Sequence, residues 1–261
     1  MEHNKINRTE IITFYVLACA LSWPLFAWRD LYNESWTSSG IPTAIRNLGV
    51  MWGPGLAAII CFFIFRKTHV RTITFGGTSA IKSLIFYFTP YIIWFALSII
   101  NPAADQNPEF FLALIPFGFL MTLGEELGWR GFLQDTLRKL PEWKKWLTIG
   151  LMWEFWHFTR GLTNGETHQI ILRKSFFIVA TIILTIIIGK LTDRTKSLLV
   201  AITLHSWVNI QMEFPHVNTH IAAGISVVIW TFMIWKWNPA PRLEKQPVMA
   251  AVWDGEGNNK S

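Results

Sequence analysis

Glu125 and Glu126 stand side by side in the run Gly124-Glu125-Glu126-Leu127-Gly128-Trp129-Arg130-Gly131. Paired carboxylates at the end of an apolar stretch are a set from which acid–base chemistry could be built. Arg130 follows Glu126 by four residues, so on a helix the two share a face and can pair. Glu125 points about 100° away and is left without that partner. Two adjacent carboxylates in a dry site cannot both ionise cheaply. Fixing Glu126 with Arg130 therefore leaves Glu125 to work as a base. Taken singly, the cluster is explained as well by a salt bridge at a helix end.

Two further clusters interrupt apolar sequence. In Trp153-Glu154-Phe155-Trp156-His157, Trp153 and His157 lie one helical turn apart on one face. Glu154 is a second ionisable group in the same stretch and reads as facing the inner aqueous mouth. In His205-Ser206-Trp207-Val208-Asn209, His205 and Asn209 again share a face, and both can donate hydrogen bonds. Alone, the first histidine is a satisfied core residue and the second pair is interhelical glue. Together, a carboxylate, two imidazoles and an amide on three separate elements each need polar company, and the nearest company is one another. That inventory suits hydrolysis: a base for water, a partner that orients it, and donors for an oxyanion.

The elements that must carry these residues are membrane spans. Of 261 residues, 51% are hydrophobic and 15% charged, whereas soluble domains run nearer a quarter charged. Apolar runs fall at about 11–28, 47–65, 83–100, 110–127, 146–162, 175–191, 197–212 and 220–237. Most are long enough to cross a hydrocarbon layer of ~30 Å as helix, and open strands cannot cross lipid. The expectation is an all-α, polytopic transmembrane bundle of about eight spans. The fourth, fifth and seventh are the weakest, because each carries ionisable residues. One integral membrane unit is expected over 1–237, with the motifs in 83–212 and a disordered cytoplasmic tail over 238–261.

Charge orients the bundle. Of 23 Lys and Arg, Arg29, Arg46, Arg160, Arg173 and Lys174 fall in outer loops and Arg130 within its motif, which leaves seventeen for the inner side if both termini are cytoplasmic. Such a bias follows the positive-inside rule. The 15 Trp, many of them at run ends (Trp23, Trp28, Trp143, Trp146, Trp235, Trp237), suit the headgroup level. The net charge of +6 is spread over short loops without forming a face, which excludes nucleic acid and favours anionic lipid headgroups. Cys19 and Cys61 lie inside apolar runs, so neither a disulfide nor a thiol metal site is indicated. The first run reads as a retained anchor. His3, His69, His168, His216 and His220 receive no role.

The ordered trio of Glu-Glu-x-x-x-Arg, aromatic-x-x-x-His and His-x-x-x-Asn resembles the CPBP family. That family contains the type II CAAX prenyl endopeptidases and relatives linked to bacteriocin self-immunity (the Abi proteins). The resemblance covers about 83–212. It implies that Glu125 and His157 hold and deprotonate the attacking water, that His205 and Asn209 form the oxyanion hole, and that no metal or other cofactor is needed. It further implies that Glu126 and Arg130 brace the first motif and that Trp153 packs against His157. Trp153 stands where the family usually shows Phe. Asn209 is among the residues accepted at its position.

Three readings stay open on these residues. The first is an endopeptidase acting on a peptide or protein, lipidated or not, near the cytoplasmic face of a bacterial or archaeal plasma membrane. The second is a zinc peptidase using Glu125, His157 and His205 as ligands. The third is a non-catalytic binding or immunity protein. The absence of an internal repeat argues against a transporter. One tension concerns depth. At 1.5 Å per residue, Glu125 and His157 sit roughly 6–8 Å apart along the membrane normal unless the fourth span extends towards Gln134 or a helix breaks. Extension is expected, with 132–140 lying along the inner interface.

Overall fold

The computed structural model describes residues 7–31, 41–102, 108–158 and 166–238. Its helices are α1 (Arg8–Leu31), α2 (Ile41–Ile64), α3 (Ala80–Ile100), α4 (Pro108–Glu126), α5 (Glu142–Trp156), α6 (Thr167–Thr195), α7 (Leu198–Glu213) and α8 (Val217–Trp235). A π-helical segment, Leu127–Gln134, continues α4. Among the described residues the one β-pairing is an isolated bridge between Thr74 and Ser197. The all-α expectation holds. The tail beyond 238, His3 and Arg160 lie outside the described residues.

Among the described residues, five helices (α1, α2, α3, α6 and α8) are long and apolar enough to cross a membrane. Their outward faces are greasy: Val16, Ile92, Phe176 and Val228 are all exposed. The charged side chains of Glu125, Glu126, Arg130 and Glu154 are buried instead. A soluble protein arranges itself the other way round, because water and not hydrocarbon meets its surface. The polar clusters ride on α4, α5 and α7. Two cores flank them: Phe14, Val50, Trp129, Phe132 and Trp156 on one side, and Phe86, Trp94, Trp207 and Trp230 on the other.

The approach of α2 to α4 fixes where the first cluster sits. Gly124 and Gly128 are one turn apart and present a smooth strip to α2. A Cβ on Gly124 would come within 2.6 Å of the Met51 carbonyl, and one on Gly128 within 2.5 Å of Pro54 Cβ. Small residues at this spacing let membrane helices touch backbone to backbone. Gly124→Ala is therefore expected to cost about 1–3 kcal/mol through overpacking against backbone that cannot yield. A thermal unfolding series in detergent checks it; an unchanged midpoint would mean that α2 moves freely.

At the end where α3, α5 and α7 begin, residues 68–79 form a strap. Thr74 N–H donates to Lys196 O (3.0 Å), and Leu198 N–H donates back to Thr74 O (2.9 Å). Gly77, at φ +61, lies where a Cβ would collide with Thr195 O, so glycine is required there. Ser79 and Ser197 cap α3 and α7 by accepting from Lys82 N–H and Val200 N–H. Asp135, just past the π segment, accepts the backbone N–H groups of Thr72 (2.6 Å) and Ile73 (3.1 Å) and so anchors the strap from below.

The span does extend to Gln134, but 132–140 does not lie along an interface. Phe132, Leu133 and Leu137 are buried, and Phe132 packs on Phe14 with ring centres 5.3 Å apart. Only Arg138 and Lys139 emerge. The apolar pattern that suited a membrane surface instead meets α1. His69, given no role above, stacks on Phe132 and pairs through Nδ1 with Glu10 at 3.1 Å. Arg46, Arg173 and Lys174 lie within helices rather than in loops.

Candidate active site

Glu125 is the hub. Its Oε2 accepts a hydrogen bond of 2.7 Å from Trp153 Nε1 and lies 3.9 Å from His157 Nε2. Its Oε1 lies 3.9 Å from His205 Nε2. Groups from α4, α5 and α7 therefore converge on one carboxylate, and Glu125, His157 and His205 are each under 5% exposed. The extension of α4 as a π segment accompanies this meeting of depths.

Glu126 faces the other way. Its Oε1 accepts from Arg130 Nη1 at 2.9 Å and from His205 Nδ1 at 2.8 Å. The pairing with Arg130 is the one expected from their spacing. The bond to His205 is not visible in sequence, because it crosses between helices. A carboxylate only accepts, so His205 Nδ1 carries hydrogen and Nε2 is the atom turned towards Glu125. Arg130 also stacks its guanidinium over the Trp153 ring, 4.4 Å from the centroid.

His157 closes α5. The helix ends at Trp156, short of the 162 expected, and His157 caps it with φ −84 and ψ 36. Its Nδ1 lies 3.0 Å from the Trp153 carbonyl, which accepts only. Nδ1 is therefore the N–H, and in the neutral ring Nε2 keeps a lone pair facing Glu125. Trp156 packs on the imidazole at 4.4 Å. Trp23 of α1 donates to the Trp156 carbonyl at 3.1 Å, which holds the helix end in place.

Asn209 is one turn along α7 from His205 and is partly exposed. Among the described residues its amide makes no hydrogen bond. It stands on the face of α7 that carries His205. Trp153 does not simply pack on His157: the two rings are 6.1 Å apart and tilted, while Trp153 meets His205 edge-on at 5.0 Å.

Glu154 does not face an aqueous mouth. It accepts from Lys174 Nζ (3.1 Å) and Thr181 Oγ1 (2.8 Å), both on α6. A buried carboxylate in a span needs a cation, and Lys174 of α6 supplies it. A further network, Gln134–Asp193–Lys145, ties the π segment to α6 and α5. Among the described residues no three His, Cys, Asp or Glu side chains are grouped to hold a metal ion.

Residues 107–211, which contain all these groups on α4, α5 and α7, match the family model described as type II CAAX prenyl endopeptidase Rce1-like. The chain is also similar to a curated relative, CAAX prenyl protease 2 of Methanococcus maripaludis, at 26% identity over 148 residues. The match takes in 50% of this chain and 55% of the relative, so the chain spans about half the length of the curated protein it matches.

Proposed function

We propose that this integral membrane protein, whose residues 107–211 match the type II CAAX prenyl endopeptidase Rce1-like family model, is an intramembrane endopeptidase that hydrolyses a peptide bond with water activated by Glu125. The observation that carries the reading is a buried carboxylate with two imidazole Nε2 atoms each 3.9 Å from it. Such a gap is too long for a direct hydrogen bond and suits a shared third group.

In this reading the third group is the attacking water. It donates to Glu125 and to His157 Nε2, whose lone pair faces the same space. Glu125 takes the proton as the water oxygen bonds to the peptide carbonyl carbon, and the C=O π pair moves onto oxygen. His205 Nε2–H and the Asn209 amide meet that oxyanion. For this, His205 carries hydrogen on both nitrogens, with Glu126 as its counter-ion. The tetrahedral intermediate then collapses, the C–N bond breaks, and the proton held by Glu125 passes to the leaving amine.

The relative's name points to a C-terminal CAAX peptide bearing a prenyl group, and the same class is proposed here. A prenyl chain partitions into the lipid around an apolar bundle, which would bring such a peptide to the depth of the site. The excess of Lys and Arg on one side supports a site that serves the cytoplasmic face of a bacterial or archaeal plasma membrane, against anionic headgroups.

The test uses purified full-length protein in detergent and a quenched fluorescent peptide ending in a farnesylated CAAX sequence, with the unprenylated peptide as control. Cleavage of the prenylated probe that survives strong chelators is expected. Asn209→Ala is expected to lower the rate about 10²- to 10³-fold, the usual loss for one oxyanion donor. No cleavage of either peptide, or full rate in Asn209→Ala, would overturn the reading.

A further inference from the structure

We propose that Trp153 is a positioning residue that holds Glu125 and His157 in register, through its indole N–H and its own backbone carbonyl. The inference rests on the peptidase reading and adds a role to it. A glutamate carboxylate at the end of three rotatable bonds does not keep one orientation unaided. Here Oε2 is held by the Trp153 N–H at 2.7 Å, in a bond to a charged acceptor. That contact leaves Oε1 turned towards His205 Nε2. Four residues on, His157 Nδ1 hydrogen-bonds to the Trp153 carbonyl at 3.0 Å, which fixes the face that His157 Nε2 presents.

The indole is itself clamped. Arg130 lies over one face at 4.4 Å, and His205 meets the ring at 5.0 Å. The side chain is 2% exposed and cannot swing away without breaking both contacts. A packing role alone would need only the ring. The N–H aimed at the carboxylate distinguishes positioning from filling, because a benzothiophene ring fills the same place without it.

The experiment removes the N–H and keeps the shape. Trp153 is replaced by benzothienylalanine, in which sulfur stands for N–H, and separately by Phe, in the full chain assayed with the farnesylated probe. Removing one hydrogen bond to a charged group is expected to lower kcat about 10- to 100-fold with KM within about twofold. A purely structural role would lower the detergent unfolding midpoint of the benzothienyl variant and leave kcat unmoved. In a spectrum correlating indole ¹H and ¹⁵N, the Trp153 peak, identified by its loss in Trp153→Phe, should move upfield in Glu125→Gln. Wild-type kcat in the benzothienyl protein, or an unmoved peak, overturns the proposal. A wild-type protein that never cleaves the probe overturns the peptidase reading and the positioning role with it, and the indole peak then still reports whether the contact exists.

Discussion

Glu125→Gln is expected to abolish measurable cleavage, a loss of about 10²- to 10⁴-fold or more for removal of a general base, while leaving expression and the unfolding midpoint near wild type. Gln keeps the length and shape of Glu, and its amide oxygen can still accept from Trp153 Nε1, the contact made at 2.7 Å by the carboxylate. Arg130 and His205 keep their bonds to Glu126, which the substitution does not touch. Only the capacity to take a proton from water is lost. A steady-state assay on the farnesylated probe measures the rate, and a parallel thermal scan shows that the fold survives. If the variant cleaves at the parental rate, Glu125 is not the base. A protein that acted by sequestering a partner would keep its phenotype through this change.

The largest effect on stability is expected from Arg130→Met. Arg130 and Glu126 are fully buried and joined at 2.9 Å. Removing the cation leaves the buried carboxylate with His205 as its one remaining partner among the described residues. Breaking one side of a buried pair typically costs about 3–5 kcal/mol. Met approximates the aliphatic length of Arg, so lost packing contributes little and lost charge most. Combining it with Glu126→Gln should recover part of the stability, since the half-paired charge is gone, but not activity, because His205 Nδ1 loses its ionised partner. Unfolding midpoints of the two single variants and the double variant in one detergent decide the matter. Additive losses would show that the pair does not act as a unit.

Much of this was legible before any coordinates. Ionisable residues are expensive in lipid, so Glu125, Arg130, His157 and His205 advertised themselves against their apolar surroundings. The spacing of Glu126 and Arg130 named one contact correctly, because a helix makes such a pair local. What crossed between helices was hidden. The acceptance of His205 Nδ1 by Glu126 depends on where α7 lies against α4, and no periodicity records that. Trp153 read as an aromatic of the right size, since a sequence says nothing of which way an indole nitrogen points. Phe132, Leu133 and Leu137 misled for a related reason: an apolar stripe looks the same whether it meets lipid headgroups or the flank of α1. Glu154 misled because its partners, Lys174 and Thr181, are on another span.

The π segment at Leu127–Gln134 works as a phase shifter between two halves of one rod. Upstream, the rod is keyed to α2 by Gly124 and to α7 by the bond from Glu126 to His205. Downstream, it is keyed to the strap by Asp135 and to α6 by the bond from Gln134 to Asp193. Deleting one residue inside 127–133 would let the backbone close as an ordinary helix, normally the better-bonded state. A π turn takes in about one residue more than an α turn, so the two halves would keep nearly the same rotational phase. Both sets of keys would still meet their locks, so this stretch should accept the loss of one residue that an ordinary helix would refuse.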